Sequence, residues 1–314
     1  MGKTAFLCSG QGAQTVGMGV DFARQLPACA EVFDIAQKAS GIDIAGLCEH
    51  GPEEELSLTQ NTQPALVATS LAIAVALRQN GIEPDCVAGF SLGEYAAHAI
   101  ARTVTAETAL TLVARRGALM AMAASKTEGG MAALLRCDLQ QAAELCKKHA
   151  DASGQVLVPA NINCPGQVVI SGQTEALDAA CAEWKEQGGK FSPIKTSGAF
   201  HSPLMQYAAD RMKPALEMTG FSAPEIDLYC NYNALPLETG MAAESLYRQI
   251  TSPVLWEDTI RNMIADGVDT FIECGPGKVL TGMVKRTARD MGAKVTHTCV
   301  ATVEDMEVLL NAQG

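Results

Sequence analysis

The stretch Cys86-Val87-Ala88-Gly89-Phe90-Ser91-Leu92-Gly93-Glu94-Tyr95-Ala96-Ala97 decides how this chain is read. A brief apolar strand runs into a G-x-S-x-G turn and a helix follows at once, the setting in which that pattern carries meaning. A glycine on each side lets the backbone bend tightly enough to push the Ser91 hydroxyl out at the top of a sheet. There the N-terminus of the following helix supplies positive potential and free N–H groups near any oxyanion that develops. With 28 glycines in the chain a chance G-x-S-x-G is easily met. The strand before it and the helix after it put the functional reading ahead.

Working outward, the apolar run over 4–8 is broken by Gly10-Gln11-Gly12-Ala13-Gln14 before a helical stretch begins. A helix is predicted from near Thr62, with Pro64 in its first turn, to Gly81; its interior over 65–77 is apolar almost all round, so it belongs inside the protein. Late in the chain, residues 270–273 read as another core strand that Gly275-Pro276-Gly277 turns into a helix. These units predict an α/β fold, helices covering a largely parallel sheet. Between about Gly129 and Thr196 the pattern changes. Strands near 131–135, 156–158, 168–170 and 191–194, with helices over 138–148 and 174–187, give the order β-α-β-β-α-β of a ferredoxin-like unit. The α/β pattern resumes after Pro203, so this unit reads as an insertion: a core of residues 1–125 and 197–314, a small subdomain over 126–196, and a cleft between them.

Composition narrows the function. Of 314 residues 48% are hydrophobic, 18% charged and only 5% aromatic, which excludes disordered and collagen-like chains. The longest near-apolar run contains Thr69 and Ser70 and falls short of the ~18 residues that suggest a membrane span. No membrane association is expected. The start, Met1-Gly2-Lys3, leads into no secretory h-region, and Phe6 stands where a myristoylation signal wants Ser or Thr; a cytoplasmic protein is expected. A formal charge of −12 without any Lys/Arg tract argues against nucleic acid as a partner. The 11 cysteines, no two of them spaced as CxxC, read as buried reduced thiols. Gly10-Gln11-Gly12 has Thr15 where a dinucleotide fingerprint needs its third glycine, and Gly2-Lys3-Thr4 lacks the loop that would cradle a phosphate. With HExxH absent and five scattered histidines, no metal site is expected.

A serine hydroxyl is a poor nucleophile at neutral pH and needs a base within hydrogen-bond reach. His201 is the best placed histidine: it follows a core strand, and Ser202-Pro203 reads as the cap and first turn of a helix. His98 lies seven residues beyond Ser91 on the next helix, a helix-face residue beside Glu94, and His50, His149 and His297 read as solvent-exposed. No carboxylate that would orient His201 is identifiable, which leaves a backbone carbonyl for that role. On the helix over 106–122, Arg116 shares its face with Ala109, Leu112, Val113, Leu119 and Met120 and so points inward. A buried guanidinium needs a partner. Two remain open, an interior Asp or Glu, or a substrate carboxylate held bidentately.

Over 4–303 the chain resembles the malonyl-CoA:acyl carrier protein transacylases. Gly10-Gln11-Gly12-Ala13-Gln14, Thr62-Gln63-Pro64-Ala65, Gly89-Phe90-Ser91-Leu92-Gly93-Glu94, Arg116-Gly117 with Met120, Asn163-Cys164-Pro165-Gly166-Gln167 with Ser171-Gly172, Phe200-His201-Ser202, Gln249 before Ser252-Pro253-Val254, and Glu273-Cys274-Gly275-Pro276-Gly277 are similar to that family's motifs and keep their order. Phe90 departs from the usual histidine before the nucleophile, and His98 stands where leucine is commoner. The resemblance implies a hydrolase-like α/β core with a ferredoxin-like subdomain and the site between them. It implies that Ser91 is acylated, that His201 is general base and acid, and that the N–H groups of Gln11 and Leu92 form the oxyanion hole. It further implies that Arg116 clamps the malonyl carboxylate, that the main-chain carbonyl of Gln249 orients His201, and that Gln63, Asn163 and Phe200 belong to the substrate pocket. Phe200 resembles the malonyl-selective version of the family, in which a bulky aromatic leaves no room for a methyl branch. Malonyl-CoA and acyl carrier protein are the implied partners of a monomer needing no metal or redox cofactor. Lys285, Arg286 and Arg289 are candidates for docking an acidic carrier, with a solvated helix face as the alternative. Three rivals share these residues: a serine hydrolase, a freestanding acyltransferase of polyketide assembly, and a non-catalytic module whose small unit senses a ligand.

Overall fold

The structure is a computed structural model that describes residues 2–313. Nine strands, β1 Lys3–Cys8, β2 Cys86–Gly89, β3 Gly129–Leu135, β4 Leu157–Cys164, β5 Gln167–Gln173, β6 Lys190–Ile194, β7 Asp227–Tyr229, β8 Val268–Cys274 and β9 Thr296–Val300, form two sheets among the described residues. The larger runs β7-β2-β1-β8-β9 with every pairing parallel. Its central strands are buried through their C-terminal halves, Ala5–Cys8 of β1, all of β2 and Phe271–Cys274 of β8, as strands covered on both faces must be. The smaller sheet, β4-β5-β3-β6, is antiparallel. With helices Leu139–Ser153 and Thr174–Glu186 following β3 and β5, it has the β-α-β-β-α-β order expected.

Beyond its own sheet, β4 is tied to a segment that belongs to neither sheet. Ile162 N–H donates to the Val254 carbonyl at 2.9 Å and Val254 N–H to the Ala160 carbonyl at 2.9 Å, so β4 shares a parallel bridge with a segment of the larger unit. β4 is longer than the 156–158 read from sequence. Pro159, Asn161 and Asn163 are poor strand formers, and the register shifts near Pro159 and Ile162 show β5 carrying the pairing past them.

Helix Thr59–Gln79 is buried over most of its length, but it begins three residues before the predicted start. Leu58 C=O accepts from both Asn61 N–H and Thr62 N–H at 2.8 Å, which closes the first turn early and leaves Pro64 inside the helix. Helix Ala106–Ala124 packs against it and brings Arg116 to the interior. All 11 cysteines are free and buried. Among the described residues no helix is long and apolar enough to cross a membrane.

Candidate active site

β2 ends at Gly89 and helix Gly93–Ile100 begins four residues later. A methyl group on Gly89 would fall 1.9 Å from the carbonyl carbon of Gly93, and one on Gly93 2.4 Å from the Cys8 carbonyl oxygen, so the bend closes only with glycine at both places. Between them Ser91 sits at φ 53°, a left-handed conformation that costs a non-glycine residue roughly 1–2 kcal/mol. Three hydrogen bonds from distant segments hold it there. Ser91 N–H donates to Asn231 Oδ1 at 2.6 Å, Asn231 Nδ2 donates to the Gly89 carbonyl at 2.7 Å, and Gln249 Nε2 donates to the Ser91 carbonyl at 2.8 Å.

The Ser91 hydroxyl lies 2.7 Å from His201 Nε2. His201 is itself left-handed, at φ 54°, and its Nδ1 faces the carbonyl oxygens of Gln249 at 3.0 Å and Ser252 at 3.2 Å. Carbonyl oxygens only accept, so Nδ1 carries the proton and Nε2 offers its lone pair to the serine O–H. Backbone carbonyls thus occupy the place of a triad carboxylate. Burial, and next the nearby Arg116 charge, push the His201 pKa down to about 4, against a lesser upward pull from the two carbonyls. At neutral pH the imidazole is therefore an uncharged base.

Arg116 is 1% exposed. Its Nη1 donates to Gln63 Oε1 at 2.8 Å, and its Nη2 to Gln249 Oε1 at 2.9 Å and to Ser91 Oγ at 3.1 Å. Among the described residues no carboxylate pairs with it directly. Burial lowers its pKa, with Tyr95 and Glu94 opposing. Of the two partners left open by the sequence, an internal carboxylate bound to the guanidinium is absent among these residues.

Ser91 and His201 open onto a cleft of about 470 Å³ whose walls include Gln11, Asn163 and Phe200. The N–H groups of Gln11 and Leu92 are claimed by no acceptor among the hydrogen bonds of the described residues. Gln63 needs a correction: it is not on the cleft wall, because its amide oxygen is turned to Arg116 behind Ser91. Of the candidate docking residues, Lys285, Arg286 and Arg289 are all exposed on helix Val279–Met291, and Arg286 reaches the cleft. His98 is fully buried, with Nδ1 2.7 Å from Thr103 Oγ1, and takes no part in the bonds around Ser91. His149 is half-buried, 2.8 Å from Glu183, and His297 is also half-buried; of the three histidines read as exposed, only His50 is.

Sequence reasoning missed Asn231 altogether and gave Glu94 no role. Glu94 is wholly buried and accepts from Asn231 N–H at 3.0 Å, Gln249 Nε2 at 2.8 Å and Ser245 Oγ at 3.4 Å. Burial raises its pKa to about 7. Its place immediately after G-x-S-x-G was a usable signal. Asn231 offered none, being a lone polar residue 140 positions from the serine it holds.

Fold and site together define an acyltransferase. A family model described as the acyl transferase domain matches residues 5–309, and the chain belongs to that family. Within it the chain groups with the malonyl CoA-acyl carrier protein transacylases. It is 40% identical over 291 residues to the enzyme of that name from Bacillus subtilis (strain 168), covering 92% of each chain. The solved malonyl CoA-acyl carrier protein transacylase of Coxiella burnetii superposes with a TM-score of 0.93 at 35% identity, covering 99% of this chain and 97% of the other. A malonyl-transacylase solved in complex with its type II polyketide acyl-carrier protein gives 0.92 at 35%, covering 99% of each.

Proposed function

We propose that this protein transfers the malonyl group of malonyl-CoA to the phosphopantetheine thiol of an acyl carrier protein through an ester on Ser91, supplying fatty acid synthesis. One observation carries the reading: the Ser91 hydroxyl lies between a neutral imidazole at 2.7 Å and a guanidinium at 3.1 Å that has no bonded carboxylate among the described residues. The first is a base for the hydroxyl, the second a cation for an acyl group that carries its own carboxylate.

In the first half-reaction Ser91 Oγ attacks the thioester carbon while its proton passes to His201 Nε2. The oxyanion is met by the N–H groups of Gln11 and Leu92. The carbon–sulfur bond then breaks, and CoA leaves as the thiol with the proton from His201. The second half-reaction runs the same steps in reverse: the carrier thiol gives its proton to His201, sulfur attacks the ester, and Ser91 recovers its hydrogen. Arg116 holds the malonyl carboxylate throughout, supported by Gln63, while Gln249 C=O keeps the imidazole tautomer fixed. Asn163 and Phe200 border the acyl group and its pantetheine arm, on the boundary between the core and the 126–196 subdomain. Exposed Lys285, Arg286 and Arg289 offer an acidic carrier a basic helix face. All these groups come from one chain, which supports a monomer as the acting unit.

The test is intact-mass measurement after mixing with malonyl-CoA, followed by addition of holo carrier protein. The expected result is one malonyl group on Ser91 that moves to the carrier. Prompt release as free malonate, with or without carrier, would make the protein a hydrolase, and no adduct at all would leave a binding module. Faster unloading by a polyketide carrier than by a fatty acid carrier would reassign the pathway.

A further inference from the structure

Gln249 is asked to do two things at once: its main-chain carbonyl meets His201 Nδ1 and its side-chain oxygen meets Arg116 Nη2. A primary amide has an accepting end and a donating end. Turned over, it would set N–H against N–H at the guanidinium. The other amide on Arg116, Gln63, has only Met120 Sδ at 3.6 Å to receive its nitrogen, a weak acceptor that does little to fix its sense. Gln249 is fixed differently. Its Nε2 has two hydrogens, of which one goes to the Ser91 carbonyl and the other to Glu94 Oε2, both at 2.8 Å.

Resting on the reading of Ser91 as the acylated residue, we propose that Glu94 is a positioning residue for acyl selection: by taking the second Gln249 amide hydrogen it holds the amide oxygen toward Arg116, and so aims the guanidinium at the acyl group on Ser91. The same carboxylate oxygen accepts from Asn231 N–H at 3.0 Å, and the Asn231 side chain grips Ser91 N–H and the Gly89 carbonyl. Glu94 is thus the common anchor of both side chains that clamp the bend. A carboxylate wholly excluded from water and without a directly paired cation among the described residues is costly to bury. Its hydrogen bonds go to the two clamps and to Ser245, and a ring of donors is what makes such burial tolerable.

Two conservative substitutions separate hydrogen-bond position from charge. Glu94→Gln can keep an oxygen on Gln249 and Asn231 while its amide nitrogen faces the Ser245 hydroxyl. Glu94→Asp keeps the charge but draws the acceptor back by roughly 1.5 Å, one carbon–carbon bond. The readout is the ratio of malonyl to acetyl loading rates on Ser91, followed by intact mass. The ratio should fall about tenfold in Glu94→Asp, the scale of losing a hydrogen bond to a charged group, and stay within about threefold of the unsubstituted protein in Glu94→Gln. An unchanged ratio in Glu94→Asp, or an equal fall in both, overturns the proposal. Should Glu94→Asp not fold, the unsubstituted protein decides by NMR: the two Gln249 side-chain amide protons should exchange slowly with solvent, and rapid exchange overturns the assignment. Failure of the unsubstituted protein to take malonyl at all removes the function reading itself, a result distinct from normal loading with an unaltered ratio.

Discussion

Two strand–turn–helix crossings flank β1 at the rim of the parallel sheet, one from β2 through Ser91 into helix Gly93–Ile100, the other from β8 through Gly275 into helix Val279–Met291. Each has a buried glutamate, Glu94 or Glu273. Glu273 accepts from Leu280 N–H at 3.2 Å and Thr281 N–H at 2.8 Å, capping the helix that follows its own turn. Glu94 turns instead to residues 231, 245 and 249. The backbone explains the contrast. At the second crossing the positive φ angles fall on Gly275, Gly277 and Lys278, and a methyl on Gly275 would come 2.2 Å from Ser9 Oγ. Two of those three residues are glycines, for which such angles carry no steric cost. At the first the positive φ falls on a serine whose hydroxyl must also point into the cleft. The second turn, whose one left-handed side chain is exposed Lys278, closes on a local cap, whereas the first, which strains buried Ser91, is clamped from elsewhere in the chain.

The comparison breaks most directly at Ser91. Ser91→Ala should abolish covalent malonyl loading and lower turnover by ~10⁴-fold or more; radiolabel retained by this variant would move the reactive residue elsewhere. Next in size, Arg116→Ala should reduce malonyl loading by about 10–100-fold relative to acetyl, the scale of a charge-assisted pair. Equal losses for both acyl groups in single-turnover assays would deny the guanidinium its selective part. A milder departure concerns pH. His201 must be neutral to accept a proton, and burial depresses its pKa from the ordinary 6.5 to about 4, so acylation should hold through mildly acidic pH and fall only near 4. The unfolded chain binds that proton more readily over the same interval, so this histidine's stabilising contribution is complete above 6.5 and is lost as pH falls toward 4. An acid limb near 6.5 in the free enzyme's pH–rate profile would show an imidazole exposed to water. The smallest effect belongs to the second crossing. Glu273→Gln should lower the unfolding free energy by about 1 kcal/mol through a weakened cap and leave the malonyl-to-acetyl ratio unaltered. A change in that ratio would erase the distinction between the two glutamates.

What the sequence made legible follows the same division. The bend, the strand before it and the inward face of Arg116 are local patterns, written in residues a few positions apart, and each is where it was expected. For His201 only half of the local signal holds: the Ser-Pro helix start is present at Pro203–Met205, whereas no core strand precedes it, since β6 is largely exposed and ends at Ile194 and residues 195–202 form no strand. Asn231 and Ser245 left no such trace, and the motif around Ser252 marked the residue but not its carbonyl's contact with His201: their places in the network depend on chain segments that meet only after folding. Gln63 shows the limit of a motif, which marked the residue but not the direction of its amide, turned to Arg116 instead of the cleft. The early start of helix Thr59–Gln79 was hidden for a related reason, since proline at a first turn is the commoner arrangement.

The two hydrogen bonds between Val254 and β4 act as a rivet. They fasten the antiparallel sheet to the segment that, two residues earlier at Ser252, touches the imidazole. A disturbance at this one point would therefore reach both the sheet that walls the crevice and the residue that touches the imidazole.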